Sequence, residues 1–241
     1  ATKISNIKKN DYVLDIASND GTLLNFYNKN LIRIGIDPLI NKYRKYYKNI
    51  NFKVSDFFSY KKLKQQNLNK KFKIITALSV FYDLKNPNIF IKDIKKLLHK
   101  DGIFVLEHAD LLSIIKNNLF DTICHEHLGY YSTKIILKMV KKNNLRVFDI
   151  KKNQVNGGST RFYICHKEAF YKEKKDKIKK HVKFELNFKL ESKKTYKIFL
   201  DKILNIKKIL KKKLIDIKSK NKSIHGYGAS TKGNVLLQFF D

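Results

Sequence analysis

The chain carries 241 residues, with 52 Lys and Arg against 21 Asp and Glu, a formal net charge of +31, and 43% hydrophobic residues. That apolar fraction builds a real core over one large domain, or one domain and part of another, and it excludes disordered and collagen-like classes. The charge would ordinarily suit nucleic acid, but Arg33, Arg44, Arg146 and Arg161 are its only arginines, and the lysines are spread along a chain equally heavy in Ile, Asn, Phe and Tyr, a signature of AT-rich coding rather than of a phosphate groove.

In chain order, YVLDI at 12–16 has the pattern of a buried strand; the polar turn SNDG follows at 18–21, then helical spacing of Leu23, Leu24, Phe26 and Tyr27. Further short apolar runs bounded by Gly, Pro, Asn or Asp predict strands at 31–37, 51–54, 73–78 and 102–108. A helix at 89–98 places Ile91, Ile94, Leu97 and Leu98 three and four residues apart. Strands joined by crossover helices imply a parallel sheet covered on both faces. A helix at 133–142 and strands at 145–150 and 161–166 complete it with an antiparallel pair. The fold class is therefore α/β, a Rossmann-like doubly wound sheet of seven strands over 1–166. From 167 to 220 the chain is lysine-dense, with Tyr196, Phe199, Leu200, Ile203, Leu204, Ile206, Ile209, Leu210 and Leu214 on one stripe, which predicts one or two linking helices packed on the sheet domain. A strand at 223–227, the turn GYGASTKGN and a helix at 235–240 read as the start of a second α/β domain, 221–241, left incomplete as in a fragment of a longer protein.

No apolar stretch approaches the ~18 residues of a transmembrane span, and the opening ATKISNIKKN lacks the apolar core of a secretory signal. The sequence reads as soluble and cytoplasmic. Cys124 and Cys165 are too few for a disulfide framework or a four-cysteine zinc site.

The first strand-to-helix turn reads VLDIASNDGTLL, and the second strand closes with GIDP at 35–38. In a doubly wound sheet the ligand sits over the carboxyl ends of the strands, and an acid roughly 20 residues on bonds the ribose hydroxyls. Asp37 follows Asp15 by 22 residues (37 − 15). A dinucleotide fingerprint needs three glycines to admit a pyrophosphate; this turn has only Gly21, and Asp20 stands where phosphate charge would lie. The turn suits a cationic sulfonium with a neutral ribose and adenine, S-adenosyl-L-methionine, rather than NAD. Asp56, in SDFF after the third strand, is placed for the adenine amino group with Phe57 against the ring. Each acid alone is as readily a helix cap or turn residue; three in successive turns favour the cofactor. The expected cofactor contacts are Asp15, Ala17, Ser18, Asn19, Asp20, Gly21, Asp37, Pro38, Asp56, Phe57, and Leu78 and Ser79 at the end of the fourth strand.

FDTICHEHLGYYS at 120–132 gathers Cys124, His125, Glu126 and His127 in the loop after the fifth strand. Histidine takes and returns a proton near neutral pH, and a neighbouring carboxylate can hold its useful tautomer. His125 is as readily a buried, hydrogen-bonded side chain. A metal held by these residues with Glu107 and His108 ranks below acid–base chemistry, so no metal is expected. NGGSTR at 156–161 is a tight turn that delivers Arg161, and GYGASTKG at 226–233 is a glycine-rich nest with Lys232, the type that holds phosphates.

Together, LDIASNDGTLL, DTICHEHLGYYS, NGGSTR and HGYGASTKGN make the chain resemble the sugar C-methyltransferases, class I S-adenosyl-L-methionine enzymes several of which methylate C3 of nucleotide-linked 4-keto deoxysugars. The resemblance runs from Tyr12 to Asp241, and the HEH run is its specific element. It implies S-adenosyl-L-methionine as cofactor, a nucleotide-linked sugar as small-molecule substrate, and proton abstraction by His127 with Glu126 beside it. Substrate contacts would fall on Cys124, Tyr131, Asn156, Ser159, Arg161 and Lys232. It also implies a cysteine-rich zinc domain before the methyltransferase fold and a C-terminal α/β domain opening at the GYGA turn, neither complete in this sequence. The chain departs from the family at Cys124, where a tyrosine is expected, at Ser79 and Asp83, where Asn and His are expected with Tyr82 between, and at Ala17, elsewhere a glycine. A phenol bonds an enolate oxygen better than a thiol does. On this reading His127 removes a proton next to a ketone, His125 and Tyr82 stabilise the enolate oxygen, and the carbanion attacks the sulfonium methyl. The rivals are an O- or N-methyltransferase acting on a small molecule or RNA, which for RNA would bind with a steep salt dependence, and an inactive cofactor-binding remnant.

Overall fold

The computed structural model describes residues 1–226, 228 and 230–240. Strands β1 (Tyr12–Ile16), β2 (Ile32–Ile36), β3 (Phe52–Val54), β4 (Phe72–Leu78), β5 (Leu98–Ala109), β6 (Leu145–Asn153) and β7 (Ser159–His166) form one sheet in the order β3-β2-β1-β4-β5-β7-β6. β1 pairs in parallel with β2 on one side and β4 on the other. The strand order therefore reverses beside β1, which opens the crevice where doubly wound sheets take their ligands. β7 enters antiparallel between β5 and β6. The helices are α1 (Thr22–Asn25), α2 (Ile40–Tyr43), α3 (Tyr60–Gln65), α4 (Pro87–Leu97), α5 (Leu111–Lys116), α6 (Thr133–Lys142), α7 (Lys175–Asn187), α8 (Lys193–Ser219) and α9 (Thr231–Phe240).

On one face of the sheet Leu14, Ile34, Ile75, Phe104 and Phe162 meet Phe90, Ile91 and Ile94 of α4 and Ile136 and Val140 of α6. Each such aliphatic side chain taken out of water contributes roughly 1.5–3 kcal/mol. α4 starts where Asn86 accepts from the Ile89 amide at 3.1 Å, with Pro87 preset for the first turn. α7 is docked by a charge: buried Glu185 accepts from the backbone amides of Thr133 at 2.8 Å and Lys134 at 3.4 Å, closing the first turn of α6.

Four expectations change. α4 stops at Leu97, because Leu98 is extended and pairs with Phe72 to begin a longer β5. α1 is a single turn, leaving Phe26 exposed and Tyr27 outside the helix. The lysine-rich segment forms two helices, and α8 buries only Phe199 and Ile203, so most of its apolar stripe is not packed on the sheet domain. Residues 223–226 are exposed and form no strand, since no sheet edge runs beside them to pair with; Tyr227, the end of that expected strand, and Ala229 of the GYGA turn lie outside the described residues. Among the described residues no helix is long and apolar enough to cross a membrane.

Candidate active site

The turn after β1 runs through left-handed backbone at Ala17 (φ 57°), Asn19 (φ 49°) and Gly21 (φ 78°). Asp37, at the end of β2, ties it down: one carboxylate oxygen accepts from the Asn19 amide at 3.1 Å, the other from the Leu39 amide at 2.7 Å. Behind the turn stands Tyr47, fully buried, whose hydroxyl donates to the Asn19 carbonyl at 2.8 Å and lies 2.7 Å from Ser18 Oγ. Burial pushes this phenol up to about 12. A Cβ at Gly35 would come within 2.9 Å of the Tyr47 ring, so that position excludes a side chain, and at Gly21 the left-handed backbone strains any other residue. Nothing in KYRKYYKN distinguishes Tyr47 from its neighbours in sequence, and it was missed.

Asp15 and Ser18 were expected to face the cofactor, and both turn inward. Asp15 accepts from the Thr76 hydroxyl beneath the crevice, and burial pushes its carboxyl up to about 7, against the Thr76 bond and with a smaller push from Asp37. Ser18 is spent on Tyr47. Asp20 accepts from the Thr22 amide at 3.0 Å and caps α1, and its bonds to Thr22 hold its carboxyl below the usual range. Asn19 and Pro38 are exposed at the rim. Asp56 is paired with Lys62 at 2.6 Å, which lowers its carboxyl, and the Phe57 ring stands open to solvent. Leu78 and Ser79 end β4 at the same rim; Ser79 is left-handed (φ 56°) and its amide donates to the Glu107 carbonyl at 2.8 Å.

Across the rim, Tyr82, Cys124, His127, Asn156 and Lys232 share a pocket of about 300 Å³. The His127 Nδ1 lies 2.7 Å from the Thr122 carbonyl. A carbonyl only accepts, so Nδ1 carries the hydrogen and the Nε2 lone pair is left for a substrate proton. The Tyr82 ring sits 4.2 Å from the imidazole, centre to centre, and the Tyr82 carbonyl accepts from the Leu128 and Gly129 amides at 2.7 and 3.0 Å, which pins the loop to the turn at 81–83 that follows β4. Asp83 places a carboxylate oxygen 4.0 Å from Nε2. Burial pushes Asp83 up to about 6, with His127 pulling the other way and Glu126 adding to the rise.

The remaining residues divide. Glu126 is exposed and bonded to Cys124, whose thiol is raised by burial and then by Glu126, so the Thr122 carbonyl and not Glu126 sets the His127 tautomer. His125 is exposed and faces α9 instead of the pocket. Asn156 is left-handed (φ 53°), and Lys232 Nζ is 3.8 Å from Asp121. Tyr131 packs into the core against Phe81, ring centres 5.0 Å apart. Ser159 is fully buried with its hydroxyl donated to the Val155 carbonyl at 2.9 Å, and Arg161 pairs with Glu107 at 2.6 Å in a separate groove beside Thr76 and Leu78. Neither lines the His127 pocket: the two side chains, two apart on β7 and so on one face of the sheet, are both used internally. Among the described residues no three His, Cys, Asp or Glu gather as metal ligands.

Residues 2–150 match the methyltransferase domain family, and residues 154–241 match the C-methyltransferase C-terminal domain. The chain belongs to the class I S-adenosyl-L-methionine methyltransferase domain family. This methyltransferase is similar to the C-methyltransferase NovU of Streptomyces niveus, 26% identical over 165 residues that cover 68% of this chain and 39% of that protein. The chain thus spans about two fifths of the length of that curated relative. Its fold is shared with PKMT2 from Rickettsia typhi in complex with AdoHcy (15% identity, 68% of this chain and 50% of that one, TM-score 0.52). It is shared as well with an S-adenosylmethionine-dependent methyltransferase from Clostridium acetobutylicum (13% identity, 68% and 87%, TM-score 0.54). The rim fits the cofactor in that Asp37, at the end of β2, is fixed by the turn it would share with the ribose.

Proposed function

We propose that this methyltransferase carries a methyl group to a carbon next to a ketone of a small molecule, a nucleotide-linked deoxysugar, with His127 as the base. The observation that carries this reading is the Nδ1 bond to the Thr122 carbonyl, which commits the imidazole to the tautomer with a free Nε2 beside the pocket. S-adenosyl-L-methionine would be held by Asp37 and the 17–21 turn, and it supplies a methyl on a cationic sulfur. His127 Nε2 takes the α proton as the C–H electron pair becomes the C=C bond of an enolate and the C=O π pair moves onto the ketone oxygen. The imidazolium is then flanked by the Thr122 carbonyl at Nδ1 and by the Asp83 carboxylate, 4.0 Å from Nε2. Tyr82 and Lys232 are the donors nearest to hand for the oxygen that gains charge, and Lys232, at the start of α9, also suits the phosphates of a nucleotide carrier. On this reading 1–166 is the methyltransferase unit, 167–220 links, and 221–241 opens a second α/β domain that brings Lys232 to the pocket.

The test is solvent deuterium exchange. The intact protein with S-adenosylhomocysteine and a nucleotide-linked 4-keto deoxysugar in deuterium oxide should wash out the α hydrogen, read by NMR, and His127→Gln should not. Exchange at the wild-type rate in that variant removes His127 from the role.

A further inference from the structure

Arg33 is the second residue of β2, some four residues below Asp37, or about 13 Å from the cofactor rim at ~3.3 Å per residue. Its side chain is 4% exposed, its Nε has no partner, and Nη2 donates to the Asn49 carbonyl. No carboxylate of the described residues lies within 4.0 Å of it. The other inward-facing arginines make more bonds: Arg161 has Glu107, and Arg146, though its Nη1 is unpartnered too, donates to the carbonyls of Lys167, Ala169 and Tyr171. A guanidinium withdrawn from water and left without a counter-charge is costly, and the cost is relieved by an anion.

Arg33 forms part of a pocket of about 320 Å³ whose other charged members are Lys29, Lys45 and Lys48, with no acid among its walls. Asn25 closes one side by donating to the Tyr46 carbonyl at 3.3 Å, and Lys45 rests over the Tyr46 ring, 4.9 Å from its centre. Exposed lysines occur all over this molecule and make no site by themselves. Three of them converging on a buried, under-bonded arginine repel one another until an anion sits between them.

We infer that this pocket is a second binding site, for a small phosphate-type oxyanion anchored by the Arg33 guanidinium and closed by Lys29, Lys45 and Lys48. The planar guanidinium offers the paired donors that a tetrahedral oxyanion accepts, and the lysines complete the charge balance. The site is separate from the methyl-transfer pocket and does not rest on the reading of His127.

Calorimetry of the intact protein with inorganic phosphate and with pyrophosphate, at ionic strength held constant with chloride, tests it. One saturable site is expected, weakened about tenfold or more by Arg33→Lys and by the double variant Lys45→Ala/Lys48→Ala, the loss expected for a charge-assisted bond. A control variant, Lys212→Ala/Lys213→Ala on α8, should leave the affinity unchanged. The proposal is overturned if wild type shows no saturable binding, if the control weakens binding as much as the pocket variants, or if both pocket variants bind as wild type does. It is equally overturned if a single-stranded RNA binds through these residues and phosphate does not compete, which would make the surface a nucleic-acid contact.

Discussion

The turn after β1 and the loop at 120–132 border the same crevice and are held in opposite ways. The turn is locked by buried bonds from elsewhere in the fold, with Asp37, Tyr47 and the Thr76–Asp15 pair all beneath or behind it. The loop holds His127 partly buried between exposed neighbours and is pinned chiefly through backbone carbonyls, those of Thr122 and Tyr82. A rigid seat suits a donor whose shape never changes, whereas a loop held by its main chain lets side chains such as Cys124 vary while the imidazole keeps its tautomer. If the comparison is right, changes on the two sides separate into different observables.

The largest separation should come from His127→Gln, which lowers kcat by about 10²–10⁴ while cofactor affinity by calorimetry stays put. A parallel loss of cofactor affinity would break the division. Asp37→Ala should do the reverse, weakening cofactor binding by about 1–3 kcal/mol, the usual cost of stranding buried hydrogen-bonding groups. Asp83→Asn removes the carboxylate facing Nε2 and should cost about tenfold in kcat with cofactor affinity unchanged, as expected for a charge-assisted contact. Ala17→Gly relieves a left-handed alanine and should raise stability by about 1 kcal/mol in urea melts, because the strain lies in the Cβ that glycine lacks.

The last prediction concerns pH. The Asp15 carboxyl is raised from 3.8 to about 7, so the folded protein holds this proton more tightly than the unfolded chain does. Its contribution to stability is fully present below about pH 4 and is lost as pH rises through 7. Melting temperatures should therefore fall with this group between those limits. Asp15→Asn should give a shallower slope, the remainder coming in part from Asp83; an unchanged slope would mean that Asp15 is ionised in the fold.

The sheet was legible because its signals are local: short apolar runs ending in Asp or Gly, and a 3.6-residue period in α4 and α6. The rim positions of Asp37 and Asp56 followed from strand ends falling on one edge of such a sheet, and the His127 loop from its residue types and the family resemblance. What stayed hidden depends on contacts across the chain. Tyr47 is 28 residues from the carbonyl it supports, and Thr76 is 61 from Asp15. The group that orients His127 is a main-chain carbonyl, which no side-chain pattern announces. Leu98 continued the apolar spacing of α4 and was drawn away by pairing with Phe72, a tertiary preference over a local one. Ser159 and Arg161 belong to a motif at a turn, yet their own partners claim them.

The Glu185 carboxylate ties the lysine-rich extension to the chain just beyond the His127 loop. It completes the first turn of α6, which begins only six residues beyond His127 (133 − 127). Cutting the chain after His166 would leave two amides bare at that helix end and slacken the short span leading back to the imidazole. The extension thus braces the span that leads back to His127, and a shortened chain that keeps this support must run at least through α7.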